Sequence, residues 1–127
     1  MNFTIKLLKG HYSVVQLPAD DPFPGWVGDA DFLAIVKTRD ELSVVSNSKS
    51  VPEGVRSEHG WRVLGIVGVL DFSLIGVLSD LSQLLASVGV SVFVISTYNT
   101  DYFLVKQSQL NNALDTLRKA GHRIEEA

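Results

Sequence analysis

The sequence predicts an α+β protein whose second half is a ferredoxin-like unit of order β-α-β-β-α-β (βαββαβ). Three observations carry this. Leu74, Val77, Leu78, Leu81, Leu84, Leu85 and Val88 stand three and four apart, which is the stripe of an amphipathic helix. Leu110, Ala113, Leu114 and Leu117 repeat that spacing in a second helix. Around them, apolar runs at 61–70, 90–97 and 101–106 have the length and β-branched content of strands, and 122–127 adds a short edge strand with Ile124 as its one large apolar residue. Elements in this order build an antiparallel four-stranded sheet with both helices on one face.

In the first half, Phe3, Ile5 and Leu7 alternate as in a half-buried strand, and residues 12–17 form a second one. Prolines, glycines and aspartates break any periodicity over 18–29, a loop pinned by Phe23 and Trp26 as lids on the core. Residues 31–37 and 42–46 are strands joined by a hairpin return at Thr38-Arg39-Asp40-Glu41. The polar stretch 47–60, with Pro52 and Gly54, reads as loop. Two units follow, 1–60 and 61–127, the first with four strands and no helix.

In the second half, Gly65 and Gly68 invite a bulge or a close backbone approach within the strand 61–70. Asp71 or Ser73 can cap the first helix and Gly89 ends it; Ser108 can cap the second, with Arg118 and Lys119 at its negative end and Gly121 as its stop.

Composition narrows the function classes. With 46% apolar residues among 127, the chain can bury a sizeable core without staples, and the absence of cysteine removes disulfides and thiolate chemistry and suits a cytoplasmic location. A formal charge of −3 with the 11 Lys and Arg dispersed offers no basic stripe, so nucleic acid is not expected as a partner. Arg62 and Asp71 keep the apolar run at 61–70 well short of the roughly 18 residues of a membrane span.

Chemistry is sparse. His11, His59 and His122 fall in turns or loops without a ligand or triad motif, and Gly65-Ile66-Val67-Gly68 lacks the third glycine or lysine of a phosphate loop. A carboxylate pair, Asp71 with Asp101, has no carbohydrate-binding surround. No catalytic residue, metal site or cofactor is expected. What remains is two joints. At 71–76 a strand hands over to a helix, whose unpaired N–H groups at residues 74–77 and positive dipole end favour a carboxylate. Gly76 leaves room there, or merely eases helix-on-sheet packing. Across from it, Asp101 either binds an ammonium group or caps the turn after Tyr98-Asn99.

Two stretches carry a family likeness. Leu70-Asp71-Phe72-Ser73-Leu74-Ile75-Gly76-Val77-Leu78 and the run from Val92 through Ser96-Thr97-Tyr98-Asn99-Thr100-Asp101 to Val105 closely resemble the ACT domains of small bacterial ACT-domain proteins, a subgroup that includes the CASTOR arginine sensors and is similar to aspartokinase regulatory domains. Thr38-Arg39-Asp40-Glu41-Leu42-Ser43-Val44-Val45 and Gly60-Trp61-Arg62 share the resemblance, so it covers nearly the whole chain. Ile75 stands where many members have proline before the glycine.

The resemblance implies two tandem ACT-like units, the first incomplete, in a regulatory and non-enzymatic homodimer that binds an amino acid and signals to a protein partner. By position it assigns the ligand to Asp71, Phe72, Ser73, Leu74, Ile75 and Gly76 on one side. Ser96, Thr97, Tyr98, Asn99, Thr100 and Asp101 stand on the other, with Asp101 taking an amino or guanidinium group. Two other readings remain: an ACT pair that has lost its ligand and serves only for docking, and a small ferredoxin-like enzyme.

Overall fold

The computed structural model describes residues 2–28, 31–70 and 76–127. It divides into two compact units, one formed by Gly10–Trp61 and the other by Met1–Lys9 together with Arg62–Ala127. No helix among the described residues is long and apolar enough to cross a membrane.

The Gly10–Trp61 unit is an antiparallel sheet. Strands β2 (Tyr12–Leu17), β3 (Ala34–Lys37) and β4 (Leu42–Asn47) are joined by the start of β5 (Arg56–Ile66), in the order β3-β4-β2-β5. Val15 opposite Val44 and Leu17 opposite Leu42 put the apolar side chains of β2 and β4 on one face, where Trp26, Val27 and Ile35 complete a small core. The loop is therefore pinned by Trp26 and Val27, while Phe23, expected as a lid, is 67% exposed.

Arg56 to Gly60, read from sequence as loop, belong to β5. Their polarity hides a strand whose hydrogen bonds come from β2: Gln16 faces Arg56, Val15 faces Ser57 and Val14 faces Glu58. One face of that ladder needs no apolar residues.

The second unit contains the rest of β5, then α1 (Val77–Ala86), β6 (Phe93–Ser96), β7 (Asp101–Lys106), α2 (Leu110–Lys119) and β8 (Arg123–Glu126), the ferredoxin-like order. Strand β1 (Thr4–Leu7) joins it from the other end of the sequence. The sheet runs β6-β7-β5-β1-β8, with β1 antiparallel to β5 and parallel to β8. The expected antiparallel four-stranded sheet is thus a mixed five-stranded one, and the backbone groups of residues 4–7 are satisfied outside a first unit of 1–60.

Both helices cover one face of this sheet. Leu81 and Leu85 of α1, and Leu110, Ala113, Leu114 and Leu117 of α2, pack with Ile5, Leu7, Leu64, Ile66, Phe103 and Val105. These strand residues alternate along β1, β5 and β7, as a one-sided cover requires.

The caps differ from the sequence reading. Helix α1 starts after Gly76, not after Asp71 or Ser73, which lie outside the described residues together with Leu74. Helix α2 follows a 3-10 turn at Gln107–Gln109; its N-cap is Gln109, not Ser108, and the Gln109 side chain makes no capping hydrogen bond. Gly89 and Gly121 do follow the helices with positive φ.

Candidate functional site

The start of α1 and the β6–β7 hairpin enclose a cavity of about 270 Å³. Gly76, Val77, Leu78 and Ser79 form one wall; Ser96, Thr97, Tyr98, Thr100 and Asp101 form the other, and Leu70 completes the lining.

The helix wall follows from Gly76. Its φ of +83° is left-handed backbone that side chains with a Cβ rarely adopt, and the helix begins at the next residue. The first intrahelical bond runs from the Asp80 N–H to the Gly76 carbonyl at 2.8 Å. Helix geometry leaves the N–H groups of Val77, Leu78 and Ser79 without intrahelical acceptors, and all three residues line the cavity. The positive end of the helix dipole points the same way.

The hairpin wall is set by register. Ser96 pairs with Asp101 and Val94 with Phe103. Because Asp101 is two residues from Phe103 and four from Val105, it lies on the sheet face that the helices cover. The Ser96 hydroxyl donates to Asp101 Oδ1 at 2.6 Å. At the turn, the Thr97 N–H donates to the Thr100 carbonyl at 2.8 Å and the Thr100 N–H to Thr97 Oγ1 at 3.2 Å. Two further bonds tie the turn to the end of β5: Thr100 Oγ1 to the Ile66 carbonyl at 2.9 Å, and the Leu70 N–H to the Asn99 carbonyl at 2.6 Å.

Of the residues expected to meet a ligand, the structure brings Gly76, Ser96, Thr97, Tyr98, Thr100 and Asp101 to one cavity. Asn99 is not in the lining and acts through its carbonyl on Leu70. Asp71, Phe72, Ser73, Leu74 and Ile75 lie outside the described residues. Sequence reasoning reached Val77 only through its N–H group and missed Leu70, Leu78 and Ser79. An apolar stripe counted from Leu74 begins the helix too early, and the glycine directly before Val77 was the signal for the true start.

The histidines are not idle loop residues. His59 lies in β5 and meets two serines, Ser13 Oγ at 2.6 Å from Nδ1 and Ser57 Oγ at 3.1 Å from Nε2. Ser13 also shares a 2.7 Å hydrogen bond with Ser48 Oγ and is 0% exposed, so this serine–histidine pair offers no hydroxyl to a substrate. His122 Nδ1 accepts the Phe3 N–H at 3.0 Å, and its ring stacks on that of Phe3. Burial, with the nearby amino-terminal charge second, pushes its pKa below the ordinary histidine value. Among the described residues no three His, Asp or Glu side chains gather as a metal site.

The family model for the ACT domain matches residues 56–119, half of the chain, including α1, the hairpin and α2. The chain is an ACT-domain protein. A second family model, for an N-terminal domain, matches residues 10–54. Over its full length this ACT-domain protein is 31% identical to a protein of Agobacterium tumefaciens whose crystal structure superposes with a TM-score of 0.93, covering 100% of this chain and 95% of that one.

The regulatory subunit of aspartate kinase from Thermus thermophilus, in ligand-free form, shares the fold at 15% identity, with a TM-score of 0.61 over 88% of this chain and 93% of that one. Aspartate kinase from Clostridium acetobutylicum shares it at 11% identity, with a TM-score of 0.66 over 91% of this chain and 34% of that one. No curated protein matches the ACT-domain protein.

Proposed function

We propose that this ACT-domain protein is a regulatory, non-enzymatic module that binds an amino acid in the cavity at the start of α1. The observation that supports the reading is the facing of two complementary groups across about 270 Å³: the N–H groups of Val77, Leu78 and Ser79 on one wall and the Asp101 carboxylate on the other. An α-carboxylate suits the first and an α-ammonium the second. The volume falls just under the roughly 300–1,000 Å³ of pockets for drug-sized ligands, which suits a smaller molecule. Regulation follows if the ligand prefers one arrangement of a cytoplasmic homodimer and so shifts its population toward a form that a protein partner reads. Likeness of fold to an aspartate kinase regulatory subunit is consistent with this role.

A second reading, a docking module without ligand, is favoured by the exposure of Tyr98, 82% in the lining of the same cavity, and of Val69, 74%, which precedes the lining residue Leu70 in sequence. A thermal-shift screen against the twenty amino acids, run on the parent and on Asp101→Ala, separates the two. Ligand at about 100 times its Kd adds roughly 2.7 kcal/mol, a shift of several degrees. A shift seen in the parent and lost in the variant supports amino-acid binding, whereas a flat panel with both proteins folded leaves the docking module.

A further inference from the structure

We propose that the open edge of β8 is a self-complementary surface on which a second copy of this chain pairs, antiparallel and centred on Ile124. Among the described residues β8 ends the sheet and pairs only with β1, at the edge opposite the β6–β7 hairpin and its cavity. The surface supplies an interface for the homodimer of the reading above and does not need its ligand.

The parallel ladder fixes which groups face outward. The Arg123 N–H donates to the Phe3 carbonyl at 2.9 Å and the Ala127 N–H to the Leu7 carbonyl at 3.0 Å. Backbone groups alternate sides along a strand, so Arg123, Glu125 and Ala127 turn theirs to β1, while Ile124 and Glu126 turn their N–H and C=O to the open side. A symmetric pair of such edges runs antiparallel, with outward residues facing outward ones. Two registers keep most of β8 paired. With Glu125 at the two-fold axis, its carboxylate meets its own copy and Ile124 faces Glu126. With Ile124 at the axis, the two isoleucines face each other, and Arg123 of each copy stands opposite Glu125 of the other. Opposite charges across paired strands stabilise them and like charges destabilise them, so charge selects the second register.

The side chains are placed for it. Arg123, Glu125 and Glu126 are exposed, and Ile124, level with Ile5 in the ladder, is only partly buried against the core under the helices. A second Ile124 extends that core across the axis. Charges that merely guard an edge need no particular order; here Arg123-Ile124-Glu125 reads as its own complement. With four residues in β8 the contact is smaller than a standard stable interface, so the dimer is expected to depend on concentration.

Sedimentation equilibrium of the full chain without amino acids, from about 1 to about 500 μM, should show 13.9 kDa chains pairing reversibly into dimers. Arg123→Glu and Glu125→Arg should each weaken self-association at least ~10-fold, because each sets like charges together at both contacts. An equimolar mixture of the two should recover the parental dimer, since the two reversed side chains then face each other, as do the two native ones. Mixing does not repair a folding defect, and Arg123→Glu, which faces Thr4 across the β1–β8 ladder, keeps the test sharp if Glu125→Arg, opposite Lys6, melts early. Glu126→Pro removes an outward N–H, leaves the bonds to β1 in place and should weaken pairing whatever the charges. A parent that stays monomeric over this range, single reversals that dimerise like the parent, or a mixture no better than its components overturns the surface and leaves amino-acid binding standing. A flat amino-acid panel bears on that reading alone.

Discussion

Ser96 and Asp101 are the cross-strand pair next to the turn of the β6–β7 hairpin, and the serine hydroxyl holds one carboxylate oxygen of its partner at 2.6 Å. The bond fixes one oxygen of a carboxylate whose residue lines the cavity. Since Ser96 is exposed, Ser96→Ala should cost no more than about 0.5 kcal/mol in stability. Freed rotation of Asp101 should weaken amino-acid binding several-fold, short of the loss in Asp101→Ala. Urea unfolding and calorimetry on the same preparations check the two halves of this expectation.

Gly65 and Tyr102 define a close approach. A Cβ at residue 65 would stand 2.7 Å from Cε1 of the Tyr102 ring, a distance real Cβ atoms do not tolerate. The glycine that broke the apolar run in the sequence is therefore a packing requirement. Gly65→Ala should destabilise the protein by about 1–3 kcal/mol, and adding Tyr102→Ala should make the effect of residue 65 much smaller. A double-mutant cycle in urea tests the coupling, and additive costs would show that the clash is absorbed elsewhere.

Ser13 is buried and bonded to both Ser48 and His59. Ser13→Ala removes two hydrogen bonds from the Gly10–Trp61 unit and should cost about 1–2 kcal/mol. Residues Ser48–Ser50 form a 3-10 turn, and proteolysis or hydrogen exchange there reports whether that turn loosens with it.

His122 makes stability depend on pH. Its folded pKa is lowered, chiefly by burial, and Nδ1 is occupied as the acceptor of the Phe3 N–H. The unfolded imidazole takes up its proton near the ordinary value of about 6.5, before the folded one does. The stabilisation is therefore whole above that pH and is lost as pH falls through the folded pKa. The urea midpoint of the parent should drop between about pH 7.5 and 5 more steeply than that of His122→Gln, and parallel curves would show that His122 is not the group responsible.

Much of this fold was legible because it is local. Strand β2 at Tyr12–Leu17 and strand β7 at Asp101–Lys106 announce themselves by β-rich runs between turns, and α2 by its leucine spacing. What stayed hidden was decided at a distance. Arg56 to Gly60 look like loop until β2 is set beside them, and no periodicity reveals that Ile5 stands between Ile66 and Ile124. The site divides in the same way. Ser96 and Asp101 could be read as a turn near a helix start, but Leu70, Leu78 and Ser79 enter the lining only once Gly76 fixes where the helix begins.

The place of β1 has a consequence in time. At about 5–20 residues per second, roughly 6 to 24 seconds separate the synthesis of Leu7 from that of Glu126, its neighbour in the finished sheet. For that interval a strand carrying Ile5 and Leu7 has one edge without a lasting partner, and its other edge waits for Leu64 and Ile66. The ACT unit is closed by β8 pairing with β1, which stand far apart in sequence, so its folding is non-local by construction and expected to be slow for a domain of this size.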